Sequence, residues 1–178
     1  VKYLFELSKK TYLTIELGLQ SIHDKTLKNI NRGHDYDDFL KAYALLSNYN
    51  INTCIHIING LPEENYSMMM QTAIEISKLN PHSIKIHMLH IIKNTILAKK
   101  YIESPFNLLS LEEYVNLVCD QLEVFPEKTI IQRLTGDGNK DTLIAPTWTL
   151  KKFVVLNEID KELTRRNSYQ SNKKSAIL

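Results

Sequence analysis

Leu13-Thr14-Ile15-Glu16-Leu17-Gly18-Leu19-Gln20-Ser21 alternates without a break: apolar at 13, 15, 17 and 19, polar or glycine at 14, 16, 18 and 20. Period two over this length specifies a β-strand with two unlike faces. Helical patterns flank it, which places it in a parallel sheet covered on both sides. Burying Glu16 and Gln20 there costs several kcal/mol unless they are paired or bind something. In a barrel of parallel strands, the inward face at the carboxyl ends carries the working site. The alternation therefore directs Thr14, Glu16 and Gln20 into a cavity. Leu13, Ile15, Leu17 and Leu19 pack on outer helices.

Working outward, residues 1–10 read as helical turns carrying Leu4, Phe5 and Leu7. Residues 21–31 form a short helix with Leu27 and Ile30 inward, stopped by Arg32-Gly33. Residues 37–49 form the next helix, with Asp35, Asp37 and Asp38 at its electropositive end and Phe39, Leu40, Tyr43 and Leu46 as its buried stripe. Residues 51–58 alternate again: Ile51, Thr53, Ile55 and Ile57 oppose Asn52, Cys54, His56 and Ile58. Asn59-Gly60-Leu61-Pro62 then turns the chain. Residues 67–79 are helical, with Met70, Ala73, Ile74 and Ser77 along one side, closed by Asn80-Pro81. Residues 83–89 form a third strand, Lys85 and His87 against Ile84, Ile86 and Met88. A loop through Ser104-Pro105 leads to the capping box Ser110-Leu111-Glu112-Glu113, and its helix runs to about Val124. Residues 129–135 are a fourth strand, and Gly136-Asp137-Gly138 a loop. Residues 148–166 are a last helix with Leu150, Phe153, Val154, Leu156 and Ile159 as core. The polar, basic tail beyond Asn167 is expected to fray.

Helices alternating with strands give an α/β fold with a parallel sheet and crossover helices. Four strands are too few to close a barrel of about eight. The exposed edge at residues 13–20 would invite aggregation. The expectation is therefore an excerpt of something larger, with a missing N-terminal half or a homodimer partner covering that edge. A start at Val1 rather than Met fits the same expectation. With 178 residues, 43% hydrophobic and 24% charged, the chain resembles an ordinary soluble globular domain. Its net charge of +2 gives no global nucleic-acid footprint, and no run of about 18 apolar residues would span a membrane. Cys54 and Cys119 lie far apart, which suits a reducing cytoplasm better than a disulfide framework.

Five stretches in order carry a family resemblance: Glu16-Leu17-Gly18-Leu19-Gln20-Ser21; Asn31-Arg32-Gly33-His34; Asn59-Gly60-Leu61-Pro62-Glu63-Glu64; Lys85-Ile86-His87-Met88-Leu89-His90 with Lys93 and Thr95; and Arg133-Leu134-Thr135-Gly136-Asp137 with Leu143-Ile144-Ala145-Pro146-Thr147-Trp148. Together they resemble radical S-adenosylmethionine (SAM) proteins, and within them the iron–sulfur oxidoreductases related to the Elp3 and MiaB groups. The resemblance implies the C-terminal half of a partial (β/α)6 TIM-like barrel over residues 1–126. Residues 127–178 form a C-terminal extension of strand, loop, helix and tail. It also implies SAM and a [4Fe–4S] cluster in the intact protein. There a 5′-deoxyadenosyl radical would abstract hydrogen from an unknown substrate, RNA among the candidates. The family's CxxxCxxC cluster loop is expected upstream of Val1, so the chain alone is expected to hold no metal and to be inactive.

By the same resemblance, Gln20, Arg32 and His56 would hold the methionine end of SAM. Gly60, Leu61, Ile86 and Leu89 would border its adenine. A guanidinium fork such as Arg32's suits a carboxylate. Each has a plainer reading: a loop amide, a helix-end arginine, a satisfied core histidine, a strand-to-helix turn. His56 stands where relatives carry Asp, and Glu63 where they carry a second Gly. Glu16, Lys85, His87 and Arg133 are candidate substrate contacts, with a Glu16–Lys85 pairing an equal reading for those two. Arg133 and Asp137 flank the last strand at the barrel mouth. His87 and His90, three apart, would lie on opposite faces of a strand, which argues against zinc. Lys151, Lys152, Lys161, Arg165, Arg166, Lys173 and Lys174 could touch RNA phosphates or merely solvate a helix face. The alternative function is a non-catalytic RNA- or protein-binding α/β module. An ordinary α/β enzyme without iron would show a phosphate-binding glycine loop, and none is seen.

Overall fold

A computed structural model describes residues 1–173. In chain order they form α1 (Lys2–Ser8), β1 (Thr14–Gln20), α2 (Asp24–Asn29), α3 (Tyr36–Ser47), β2 (Asn52–Asn59), α4 (Tyr66–Lys78), β3 (Ser83–Met88) and β4 (Ile91–Ile92). Then come α5 (Ile96–Glu103), α6 (Leu111–Val124), β5 (Ile130–Arg133), β6 (Leu143–Ala145), a 3-10 turn (Thr147–Leu150) and α7 (Lys152–Arg165). The main sheet has the order β1-β2-β3-β5, all parallel.

Paired residues in a parallel ladder share a face. Glu16 pairs with Cys54, Gly18 with His56, His56 with Lys85, and Ile58 with His87. One face thus collects Glu16, Gly18, His56, Lys85 and His87. The other carries Leu17, Ile55, Ile57, Ile84 and Ile86, packed with Phe39 of α3, Ala73 and Ile76 of α4, and Tyr114, Val118 and Leu122 of α6. Val155 and Ile159 of α7 complete this core. Each fully buried isoleucine contributes about 1.5–3 kcal/mol, so the apolar face fixes the sheet's orientation and leaves the polar face free for ligands. The alternation in β1 was a sound guide to both faces.

Two capping boxes anchor helix starts: Ser110 on α6, as the sequence announces, and Asp35 with Asp38 on α3. The loop expected after β3 instead contains β4 and α5. β4 pairs antiparallel with β6, and with α5 it builds a small second core of Leu61, Leu89, Ile91 and Ala98. Two-residue strands carry no legible period. Thr95 was the available signal, since its hydroxyl caps α5 by accepting from Ala98 N at 3.1 Å.

The last helix is broken at Lys151, which ends the 3-10 turn and precedes α7. The break changes the helical phase. Val155 and Ile159 are buried, while Phe153 is 78% exposed and Leu150 and Val154 are exposed too. On α4 the buried stripe runs through Met69, Thr72, Ala73, Ile76 and Ser77, with Met70 and Ile74 at its border. The tail does not fray through Lys173. Ser171 N donates to Leu122 O at 3.1 Å and Lys173 N to Glu123 O at 2.9 Å. Gln170 Nε2 donates to Pro126 O at 2.6 Å and Thr129 O at 2.8 Å. Lys174 and the remainder of the tail lie outside the described residues. Among the described residues, no helix is long and apolar enough to cross a membrane.

Candidate functional site

The carboxyl end of β1 carries the first corner of the site. The ladder slips between Gly18 and Gln20, and Gln20 takes φ 69°, a left-handed conformation that costs a non-glycine residue energy. The slip turns the Gln20 amide back over Gly18. Arg32, from the loop after α2, reaches the same spot: its Nη2 donates to Gly18 O at 2.6 Å and its Nε to His34 Nε2 at 3.2 Å. A Cβ on Gly18 would stand 2.8 Å from both Arg32 Nη2 and Gln20 Nε2. Gly18 is therefore the floor on which the two side chains meet. Gln20 Oε1 is buried and has no hydrogen-bond partner among the described residues. Beside it, Gly18, Arg32, His34 and Phe39 line a cleft of about 390 Å³. Sequence reasoning named Gln20 and Arg32 but missed Gly18 and His34; a glycine inside an apolar–polar alternation was the signal.

The middle of the face is a charge relay across three strands. Glu16 bonds Lys85 through Oε1 and lies 2.9 Å from His56 Nε2 through Oε2. The Lys85 ammonium, chiefly, holds the Glu16 carboxyl below the usual carboxylate range. Burial lowers the His56 pKa more than the Glu16 carboxylate raises it. The pairing reading of Glu16 and Lys85 is the one realised.

His56 stacks on His87, ring centroids 5.6 Å apart. Burial first, then Arg133, pushes His87 down to about 4; burial also lowers His90. His90 does not lie on the opposite face, because β3 ends at Met88 and the chain turns back. Both rings converge on Gly136, whose Cβ would stand 3.0 Å from His90 Cε1 and 3.6 Å from His87 Nδ1. Arg133 lies 3.9 Å from Asp137, which Lys152 holds at 2.8 Å.

Protonation of His87 has a consequence for stability. Above pH 6.5 the ring is neutral both folded and unfolded. Between pH 6.5 and about 4 the unfolded chain takes the proton and the folded chain does not, so stability falls as pH falls through that window. Discounted for partial solvation, the loss is on the order of 1 kcal/mol. Urea unfolding in chloride at pH 7.5 and pH 5 should show a lower midpoint at pH 5, and His87→Gln should shrink that difference.

The third corner is the turn after β2. Gly60 has φ 81° and Glu63 φ 68°. The turn is thus kept with Glu63 in a conformation glycine adopts freely. Gly60 and Leu61 line a cavity of about 500 Å³ with Glu64, Met69 and Leu109. Ser21 donates to Glu64, a contact the sequence did not suggest, and burial pushes the Glu64 carboxyl up. Leu89 joins Leu61 in the small core, and its N donates to Asn59 O at 2.9 Å. Ile86 is fully buried in the main core, paired with Ile57, because period two puts its side chain on the face opposite Lys85 and His87.

The basic residues near the C-terminus are largely spent within the chain. Arg166 meets Asp120 at 2.8 Å and Glu162 at 2.7 Å, Arg165 meets Glu162 at 2.6 Å, and Lys161 meets Glu158 at 2.7 Å. Lys173 bonds the buried Glu123. Cys54 and Cys119 are free, buried and on separate elements, with both thiols pushed up by burial, Cys119 to about 11. Among the described residues no three side chains gather as metal ligands.

Two family models cover nearly all of this architecture. Residues 1–76 match the radical SAM superfamily, and residues 81–165 match the radical SAM C-terminal domain. The chain belongs to the radical SAM superfamily. Among its relatives is the uncharacterized protein YtqA of Bacillus subtilis, 46% identical over 170 residues, covering 96% of this chain and 53% of that protein. The tRNA uridine(34) acetyltransferase of Methanocaldococcus infernus is 27% identical over 126 residues, covering 69% of this chain and 24% of that protein. The structure of Methanocaldococcus infernus Elp3 with an N-terminal deletion superposes with a TM-score of 0.81 at 21% identity, over 95% of this chain and 40% of that one. The α/β architecture is thus that of a radical SAM fold, and the chain spans about half the length of its closely matching curated relative.

Proposed function

We propose that this chain supplies the SAM-holding end and part of the substrate-facing wall of a radical SAM iron–sulfur oxidoreductase. One observation carries the reading. The buried, unpartnered Gln20 Oε1 and the Arg32 fork meet over Gly18 at the carboxyl end of β1. That pair fits an amino acid headgroup: the amide oxygen accepts from an ammonium and the guanidinium donates to a carboxylate. Gly60 and Leu61 would border the adenine. His56, which meets Glu16 through Nε2, would present its ring on the same polar face. The described residues do not fit a [4Fe–4S] cluster, since no three ligands gather. In the whole protein, SAM would supply a 5′-deoxyadenosyl radical able to take hydrogen from substrate. This chain's residues bind, orient and exclude water.

Gly18→Ala tests the reading. The added methyl displaces only the ends of two side chains, so thermal stability should change little. Affinity for SAM, measured by calorimetric titration of the chain, should fall about tenfold or more, the worth of one charge-assisted hydrogen bond. Equal affinities in the two proteins, or no saturable binding to either, would defeat it.

RNA is the substrate class suggested by the relative whose name specifies tRNA uridine(34). Exposed lysines outside the C-terminal ion pairs, Lys99 and Lys100 on α5 and Lys140, would meet phosphates. The non-catalytic module is the weaker alternative, because a scaffold has no use for unpartnered buried amide and imidazole atoms on one face.

A further inference from the structure

Beyond the SAM corner, the far end of the same face holds a second set of unsatisfied polar atoms. His87 Nε2 and His90 Nε2 are both buried and without a hydrogen-bond partner among the described residues. Their rings are held from two sides. His56 stacks on His87, and the Gly136 backbone lies against both rings because it has no side chain to keep it away. Two buried orphan nitrogens, on rings that both border Gly136, are costly unless something binds there.

The charges around them select the ligand. Lys85, Arg133 and Lys152 are cationic; Glu16 and Asp137 are anionic. Lys85 is committed to Glu16, and Lys152 holds Asp137 at 2.8 Å. Arg133 approaches Asp137 only at 3.9 Å, and its side chain is 37% exposed. Its guanidinium is the uncompensated charge of the cluster. The groups facing His87 are Arg133 from β5, His56 from β2, Lys85 on its own strand and His90 beyond it; Asp137, from the loop, acts on both His87 and His90 and is itself held by Lys152. A cationic ligand would be repelled by Arg133. A metal would lack a third ligand among the described residues. An apolar group would leave both imidazole nitrogens unsatisfied. An oxyanion answers all three features. Its oxygens accept from the Nε2–H tautomer of each ring and from the Arg133 fork, and its charge balances the excess.

We propose that His87, His90 and Arg133 form an anion subsite that takes a carboxylate or phosphate group of the molecule bound on the polar face. The subsite rests on that face being the ligand-binding face, but it is separate from the Gly18–Arg32 corner assigned to SAM.

The test is histidine NMR on the 178-residue chain, with sodium acetate and inorganic phosphate as separate probes and chloride at matched ionic strength as reference. An oxyanion at the rings favours their protonated form. The titration midpoints of His87 and His90 should therefore rise by about one pH unit or more, a tenfold tighter hold on the proton. His82, which contacts Tyr12 at the opposite end of the sheet, should not move. A larger rise in acetate identifies a carboxylate, and a larger rise in phosphate identifies a phosphoryl group. Arg133→Gln, at a part-exposed position, should abolish the rise while leaving His82 unchanged. The proposal is overturned if chloride produces the same shifts, if neither anion moves His87 and His90, or if Arg133→Gln keeps the full effect. Shifts confined to His34, beside Arg32, would also overturn it, yet would leave the SAM corner standing.

Discussion

Tyr114→Ala is expected to destabilise the chain by about 3–5 kcal/mol, the range for deleting a buried aromatic side chain. Tyr114 is fully buried on α6, with its ring 5.2 Å from that of Trp148 and its hydroxyl donating to Leu134 O at 2.8 Å. The ring binds α6 to the segment before α7. The hydroxyl ties down the end of β5 two residues before Gly136. The substitution leaves a large cavity and frees the loop that lies against His87 and His90. Urea unfolding followed by circular dichroism gives the magnitude. Tyr114→Phe separates the two contributions, since it removes the hydrogen bond alone and should cost about 1 kcal/mol, plus what the orphaned carbonyl adds. A cost below about 1 kcal/mol for the alanine variant would mean that the junction between α6, β5 and Trp148 contributes little to the fold.

Gln121→Leu should be nearly as damaging, for a different reason. Gln121 is fully buried on α6 and pairs reciprocally with Asn59: Asn59 Nδ2 donates to Gln121 Oε1 at 2.8 Å, and Gln121 Nε2 donates to Asn59 Oδ1 at 2.9 Å. The same Nε2 donates to Met69 O at 3.2 Å. Leucine fits the volume but leaves the Asn59 amide buried without partners. At about 1–3 kcal/mol for each stranded group, the expected loss is roughly 2–5 kcal/mol. Replacing both residues, Asn59→Leu with Gln121→Leu, should cost less than Gln121→Leu alone, because the Asn59 amide is then no longer stranded, while the contact to Met69 O is lost in both variants. A double variant no more stable than the single one would contradict this account. Asn59 ends β2 immediately before Gly60, so loosening the pair should also reduce SAM affinity through the Gly60–Leu61 turn.

The parallel sheet, its two faces and the capping box at Ser110 were written in local pattern, because strand alternation and helix caps are properties of neighbouring residues. The motif order alone carried the family, and Gln20 with Arg32 came from it. Gly136 was not legible as a site residue, and for Gly18 the local signal was no more than a glycine inside the alternation. A glycine's role there is the space it leaves for side chains 2 to 49 residues away in sequence, such as Gln20, Arg32 and His87. That the Ile86 side chain faces the apolar core was not legible from its motif, because a motif names neighbours without regard to the face each occupies. His87 and His90 were separated by strand arithmetic that ceased to apply once β3 ended at Met88.

The sequence by itself determined that one sheet face is apolar and the other polar, since the hydrophobic effect acts on every residue of a period-two pattern alike. Only the tertiary structure decided which polar groups would satisfy each other and which would be left over. Lys85 closes on Glu16 across two strands, and Lys152 on Asp137, while Gln20, His87 and His90 retain unpartnered atoms. That division depends on register, on the slip after Gly18 and on where β3 stops. Those are set by long-range packing, and no local run of residues encodes them.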